Sequence, residues 1–204
     1  MHFMEYDSPV MTVISKTADI LLLSALWFIC CVPLITIGAA TTALYYSCVK
    51  AVRRDKGYLI RNFFHSFKLN FIPATLLWLT FLILGILLYS CFIFTAALSD
   101  KSLQFFMLCI YIFLSFLVLG MGCYAFPVLS RCSMNNTGIL RFALGLFIRH
   151  FPSSIILAAL VILAVFIMWF IPLSVFVLPG IISLIYSVPM ERILSRYTPE
   201  EQRA

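Results

Sequence analysis

Hydrophobic and charged positions are segregated along this chain instead of interleaved. No Asp, Glu, Lys or Arg occurs in residues 20–49, 69–99, 102–130 or 150–190. These stretches hold 30, 31, 29 and 41 residues, each longer than the roughly 20 apolar residues a helix needs to cross a bilayer. The pattern predicts an all-α, polytopic membrane helix bundle, a single domain over 1–204. About five transmembrane helices are expected, near 19–37, 71–98, 102–130, 152–171 and 173–190. The longest stretch is read as two crossings, because Arg149 and Arg192 flank it and Pro172 beside Trp169 suits an interfacial turn. The alternative, one long tilted last helix, makes four spans and leaves the C-terminal arginines outside.

The first stretch would measure about 45 Å as a straight helix, too long for a hydrocarbon core of about 30 Å. Pro33 and Gly38 are the expected breaks. A second helix then runs from Ala39 into Arg54, small and hydroxyl-bearing at its start and aromatic later. Such residues let helices approach closely and satisfy backbone groups freed at a break. Upstream, Asp7-Ser8-Pro9 reads as a helix start with a capping side chain and a first-turn proline.

Between the spans the periodicity changes. Ile60, Phe64, Phe67 and Phe71 recur at helical spacing, with Arg61, His65 and Lys68 on another face. This predicts an inner amphipathic interfacial helix over 57–70, its Phe face in lipid or against the bundle. Leu140, Leu144, Phe147 and Phe151 repeat the stripe 80 residues later, predicting a second such helix over 138–150. Two parallel units of span, inner amphipathic helix and span, followed by a fifth helix, are the corresponding repeat.

Composition agrees with the pattern: 63% of residues are hydrophobic and mean hydropathy is +1.08. Of 14 Lys and Arg, twelve fall in 50–68, 131–149 and 192–203. The positive-inside rule therefore places those zones in the cytoplasm, with the N-terminus outside and the C-terminus cytoplasmic in the cell membrane. A cleaved signal peptide fits poorly, since Glu5, Asp7 and Asp19 outnumber Lys16 in the leading segment.

Charge also limits the chemistry. The spans hold no ionisable relay of the kind that marks proton- or ion-coupled transport. The seven cysteines form no CxxC pair and the three histidines are isolated, so no metal or cofactor is expected, and no enzyme motif occurs. The candidate polar kink or pathway comprises Pro33, Thr36, Gly38, Thr41, Thr42, Tyr45, Tyr46 and Ser47. Helix packing near a kink explains the same residues. Lys50, Arg53, Arg54, Lys56, Arg61 and Lys68 are candidate contacts for anionic lipid headgroups on the inner face. The lipid bilayer is the expected partner, and nucleic acid is not.

The chain resembles the YesL-like family of small bacterial membrane proteins. The likeness rests on Tyr6-Asp7-Ser8-Pro9, Leu26-Trp27, the run from Pro33 to Tyr46, and Gly57-Tyr58 followed by Phe63 to Phe71, with weaker likeness around Phe126 to Arg131. Ser24-Ala25 stands where the resemblance leads one to expect an Asn before the Leu-Trp pair. The resemblance implies an accessory membrane protein associated with carbohydrate uptake, partnered by a sugar ABC permease or its membrane sensor. It implies no catalytic residues. The alternative reading of the residues is a small facilitator or channel for a neutral solute. A third is a lipid-organising protein.

Overall fold

The structure, a computed structural model, describes residues 9–53, 58–96, 100–132 and 134–194. Among these the chain is predominantly helical and contains no strand. The helices are α1 (Pro9–Cys31), α2 (Ile37–Ser47), α3 (Leu59–Leu69), α4 (Phe71–Ala96), α5 (Lys101–Arg131), α6 (Asn136–Arg149), α7 (Phe151–Phe170) and α8 (Leu178–Leu194). A 3-10 turn, Leu34–Thr36, precedes α2 and a π-helical turn, Cys48–Arg53, comes after it. Ile14–Cys31 and the whole of α4, α5 and α7 are long and apolar enough to cross a membrane. With 17 residues, or about 26 Å, α8 is slightly shorter. The protein is an integral, multi-pass membrane protein.

The first break falls at Val32-Pro33, so α1 ends at Cys31, six residues before the end expected from hydropathy. Pro33 cannot continue a helix, and the freed carbonyls need donors. The Thr36 hydroxyl lies 2.5 Å from the Cys30 carbonyl and 2.6 Å from that of Pro33, one proton serving two acceptors. Trp78 of α4 donates its indole N–H to the Leu34 carbonyl at 2.9 Å. The turn is thereby closed from within and from across the bundle.

Beyond the turn, the chain reverses its direction. Trp27 donates to Thr41, and Leu23 clusters with Ala43, Leu44 and Cys48. Positions before the turn thus meet positions an equal distance after it, and α1 and α2 form an antiparallel hairpin. The N-terminal half of α1 therefore lies at the same end of the bundle as Cys48–Arg53. The stretch between Asp19 and Lys50, expected as a single crossing, is folded back on itself. An apolar run carries no mark of where it reverses beyond a proline, so the charge pattern alone favoured one crossing.

Two more hairpins complete the bundle. Thr95 meets Tyr111, and Phe81 meets Phe126, across α4 and α5. Asp100 caps α5 by accepting from the Ser102 N–H. Helices α7 and α8 reverse through a 3-10 turn over Pro172–Phe176, the place where a turn was expected. Ser24 ties α8 back to α1: its hydroxyl accepts from the Gly180 N–H at 2.9 Å and donates to the Ile20 carbonyl at 2.9 Å.

The short helix α2 sits at the centre, touching α1, α3, α4, α5 and α8. Gly38, Ala39, Ala40 and Ala43 are buried there, and the small side chains are the reason. A Cβ at Gly38 would lie 2.5 Å from the Ala74 carbonyl oxygen and 2.7 Å from the Trp78 Cβ, so only glycine permits this approach to α4.

Helices α3 and α6 start and end within two residues of the expected amphipathic helices. Their stripes divide between the bundle and the outside: Phe67 and Phe147 pack inward. Ile60, Phe64 and Phe71 are exposed, while Phe63 and Ser66 are buried. Phe63 stacks on Phe67 at 6.3 Å and packs with Val52 and Cys48. In α6 the buried positions Ala143, Leu146 and Phe147 correspond to Phe63, Ser66 and Phe67 at the same 80-residue offset. Asn70 and His150 each end their helix with a one-residue turn into α4 and α7.

Candidate functional site

The C-terminal ends of α2, α5 and α8 converge on one polar node. Arg131, the last residue of α5, makes a fork to Glu191 of α8: Nε to Oε1 at 3.2 Å and Nη2 to Oε2 at 2.9 Å. Tyr45 of α2 donates its hydroxyl to Glu191 Oε1 at 3.1 Å. The side chains of Arg131 and Glu191 are 14% and 13% exposed, so the pair is largely shielded and its charge-assisted bonds are strong. Beside it, burial pushes the Cys132 thiol above the ordinary range, and the Arg131 charge pulls it partly back.

One turn deeper, Tyr45 meets the Tyr186 ring edge-on at 6.4 Å. The Tyr186 hydroxyl donates to the Cys123 carbonyl of α5. Proline at position 127 has no N–H, so the Cys123 carbonyl has lost its usual intrahelical donor. Tyr186 replaces that donor from a different helix. Tyr124 and Ser154, 3.0 Å apart, join α5 to α7 in the same layer.

Next to this layer lies a cavity of about 380 Å³ bounded by α1, α2, α4, α5, α7 and α8. Its walls are mainly aliphatic and aromatic, with Thr41, Tyr45, Ser183 and Tyr186 as the hydroxyl-bearing members.

The residues singled out from sequence divide accordingly. Pro33 and Thr36 form the exposed turn, and Gly38 and Thr42 are buried in helix contacts. Thr41 and Thr42 donate to the carbonyls of Ile37 and Gly38, one turn earlier in their own helix. Tyr45 joins the node, whereas Tyr46 accepts from Lys50 Nζ at 2.9 Å, with that ammonium 5.2 Å from the ring centre. Ser47 is buried with no hydrogen-bond partner for its hydroxyl. Of the candidate headgroup contacts, Arg61 and Lys68 are exposed on α3 and Lys50 is half-buried. The backbone of Arg53 ends the π-helical turn, and Arg54 and Lys56 lie outside the described residues.

Sequence reasoning missed Arg131, Glu191, Tyr186 and Ser24. Glu191 bonds to Arg131 and Tyr45, which lie 60 and 146 residues away in the sequence. The available signal was Pro127 within an apolar helix, which demands a donor from elsewhere. Among the described residues, no group of three or more His, Cys, Asp or Glu is placed to hold a metal ion, and none of the seven cysteines is in a disulfide.

Residues 20–92 match the model of a family described as a protein of unknown function, DUF624. The match runs from α1 into α4, so it includes Tyr45 and Trp78 but neither Arg131 nor Glu191. No curated protein and no solved structure matches the chain.

Proposed function

We propose that this protein is a non-conducting accessory subunit of a larger membrane assembly. The observation that carries this reading is the α4–α5 hairpin. From Leu82 to Phe94 and from Lys101 to Ser115 no residue is buried, yet both helices are apolar around their circumference. An element that packs so little against its own bundle presents its surface to lipid and to the helices of a partner. The facilitator reading is less well supported. The hydroxyls of Thr36, Thr41 and Thr42 bond to nearby backbone carbonyls. The cavity beside them, walled by Trp27, Trp78 and Phe126, suits a polyhydroxylated solute poorly.

A sugar ABC permease or its membrane sensor is the partner we propose, on the strength of the resemblance of the Pro33 to Tyr46 segment alone. The basic end of the bundle is assigned to the cytoplasm by the positive-inside rule. Because α1 and α2 form a hairpin, this assignment brings the start of α1 to the cytoplasmic side as well. Purification of the intact protein from native membranes in mild detergent, with quantitative mass spectrometry, tests the reading. A stoichiometric permease or sensor is the expected result. A partner-free protein that conducts solute in proteoliposomes would overturn it.

A further inference from the structure

Two turns of this bundle differ in chemistry. Between α4 and α5 the chain passes through Asp100 and Lys101, both exposed, as a turn in water does. Between α1 and α2 it passes through Val32-Pro33-Leu34-Ile35-Thr36, which carries no charge. Val32, Leu34 and Ile35 are 73%, 71% and 57% exposed there. The carbonyls of this turn nevertheless find donors within the protein. The Thr36 hydroxyl serves Cys30 and Pro33, the Thr36 N–H bonds to Pro33, and the Trp78 indole serves Leu34. Irregular backbone is tolerated at membrane depth only where the protein itself satisfies its polar groups.

Contacts with α4 fix the level of the turn. Gly38, two residues beyond Thr36, lies so close to α4 that a Cβ would stand 2.5 Å from the Ala74 carbonyl oxygen. Ala74 and Trp78 stand only about 5 and 10 Å along the axis of α4 from its start at Phe71. Beyond Trp78, α4 runs about 27 Å further to Ala96. The arms of the α1–α2 hairpin are correspondingly short. Their uncharged segments, 20–31 and 37–49, measure about 18 and 20 Å as helices, against a hydrocarbon core of about 30 Å. Stretches of this length suit re-entrant segments better than spans. A full crossing by α1 would draw Asp19 and Lys16 toward the hydrocarbon, at a cost.

We infer that α1 and α2 form a re-entrant hairpin. It enters and leaves the bilayer at the end of the bundle that carries α3, and Val32, Leu34 and Ile35 lie among acyl chains. The hairpin ends near Trp78, which leaves the far half of α4 and α5 without α1 and α2 alongside. This placement rests on the present chain alone and is independent of any permease or sensor partner.

Spin labels test the depth. In a cysteine-free background, nitroxides are attached to Leu34→Cys and Ile35→Cys of the full-length protein in vesicles of phosphatidylethanolamine and phosphatidylglycerol. Collision with oxygen and with a water-soluble nickel chelate on both sides is then measured. Labels at Leu76→Cys, Ile83→Cys and Phe94→Cys, exposed positions along α4, supply the depth scale, and Lys101→Cys supplies the water reference. The turn labels should favour oxygen over nickel and lie deeper than those at Leu76→Cys and Phe94→Cys, close to that at Ile83→Cys. Val32→Cys replaces either turn variant should it fail to fold. Nickel collision as high as at Lys101→Cys would place the turn in water and overturn the re-entrant hairpin. Low collision with both reagents would mean that protein covers the turn, overturning acyl chains as its surroundings.

Discussion

Tyr186 of α8 donates its hydroxyl to the Cys123 carbonyl of α5, the acceptor that Pro127 leaves without an intrahelical N–H. A proline-induced defect in one helix thus becomes a specific attachment point for another. In a bilayer, where water cannot satisfy a stranded carbonyl, the arrangement both repairs α5 and orients α8.

Tyr186→Phe should lower stability by about 1–2 kcal/mol, the penalty for a buried carbonyl losing its donor. The effect should shrink to below about 0.5 kcal/mol in a Pro127→Ala background, because the alanine supplies the missing N–H. A double-mutant cycle by thermal unfolding in detergent measures the coupling. Equal losses in both backgrounds would show that the hydroxyl does not act through this carbonyl.

Glu191→Gln removes the countercharge from Arg131 and weakens the acceptor for Tyr45. Breaking a largely shielded pair in this way should destabilise by about 3 kcal/mol. The charge-swapped double variant Arg131→Glu, Glu191→Arg should recover part of the loss. Raising the salt concentration should change the wild-type midpoint little, since shielded pairs are weakly screened.

Gly180→Ala and Gly85→Ala should differ in sign. At Gly180 a Cβ would lie 2.6 Å from the Ser24 hydroxyl oxygen and 2.7 Å from the Ile20 carbonyl. Separation of α1 from α8 should cost about 1–3 kcal/mol. At Gly85 nothing lies within 4 Å, and alanine should be neutral or stabilising by up to about 1 kcal/mol. Unfolding midpoints of the two variants give the comparison directly.

The hairpin between α1 and α2 brings the N-terminal half of α1 to the same end of the bundle as Cys48–Arg53. In a cysteine-free background, Ser15→Cys and Lys68→Cys should react with an impermeant maleimide from one side. Lys101→Cys, at the α4–α5 turn, should react from the other. Reaction of Ser15→Cys from the Lys101 side would restore the single crossing that the charge pattern favoured.

Much of this architecture is legible along the chain. Residence in a bilayer, the break at Pro33, the reversal at Pro172 and the amphipathic character of α3 and α6 are local properties. They depend on the length of an uncharged run, on a missing N–H, or on spacing within one helix. The stabilising role of Thr36 at the break belongs to the same class, since its acceptors lie three and six residues away.

The direction of α2, the buried faces of α3 and α6, and the Tyr45–Arg131–Glu191 node were decided only by tertiary structure. In water, a hydrophobic stripe reveals which side of a helix faces the core. At a membrane an apolar position can face lipid as readily as the core, so periodicity does not tell which apolar residues are buried. Phe64 and Phe63 are adjacent and chemically identical, yet one faces outward and the other lies in the core. The choice between them is made by the fit of small residues and the pairing of a few polar groups across 60 to 156 residues of sequence. The composition of the chain therefore determined where this protein lives, and contacts between distant residues determined how its helices face one another.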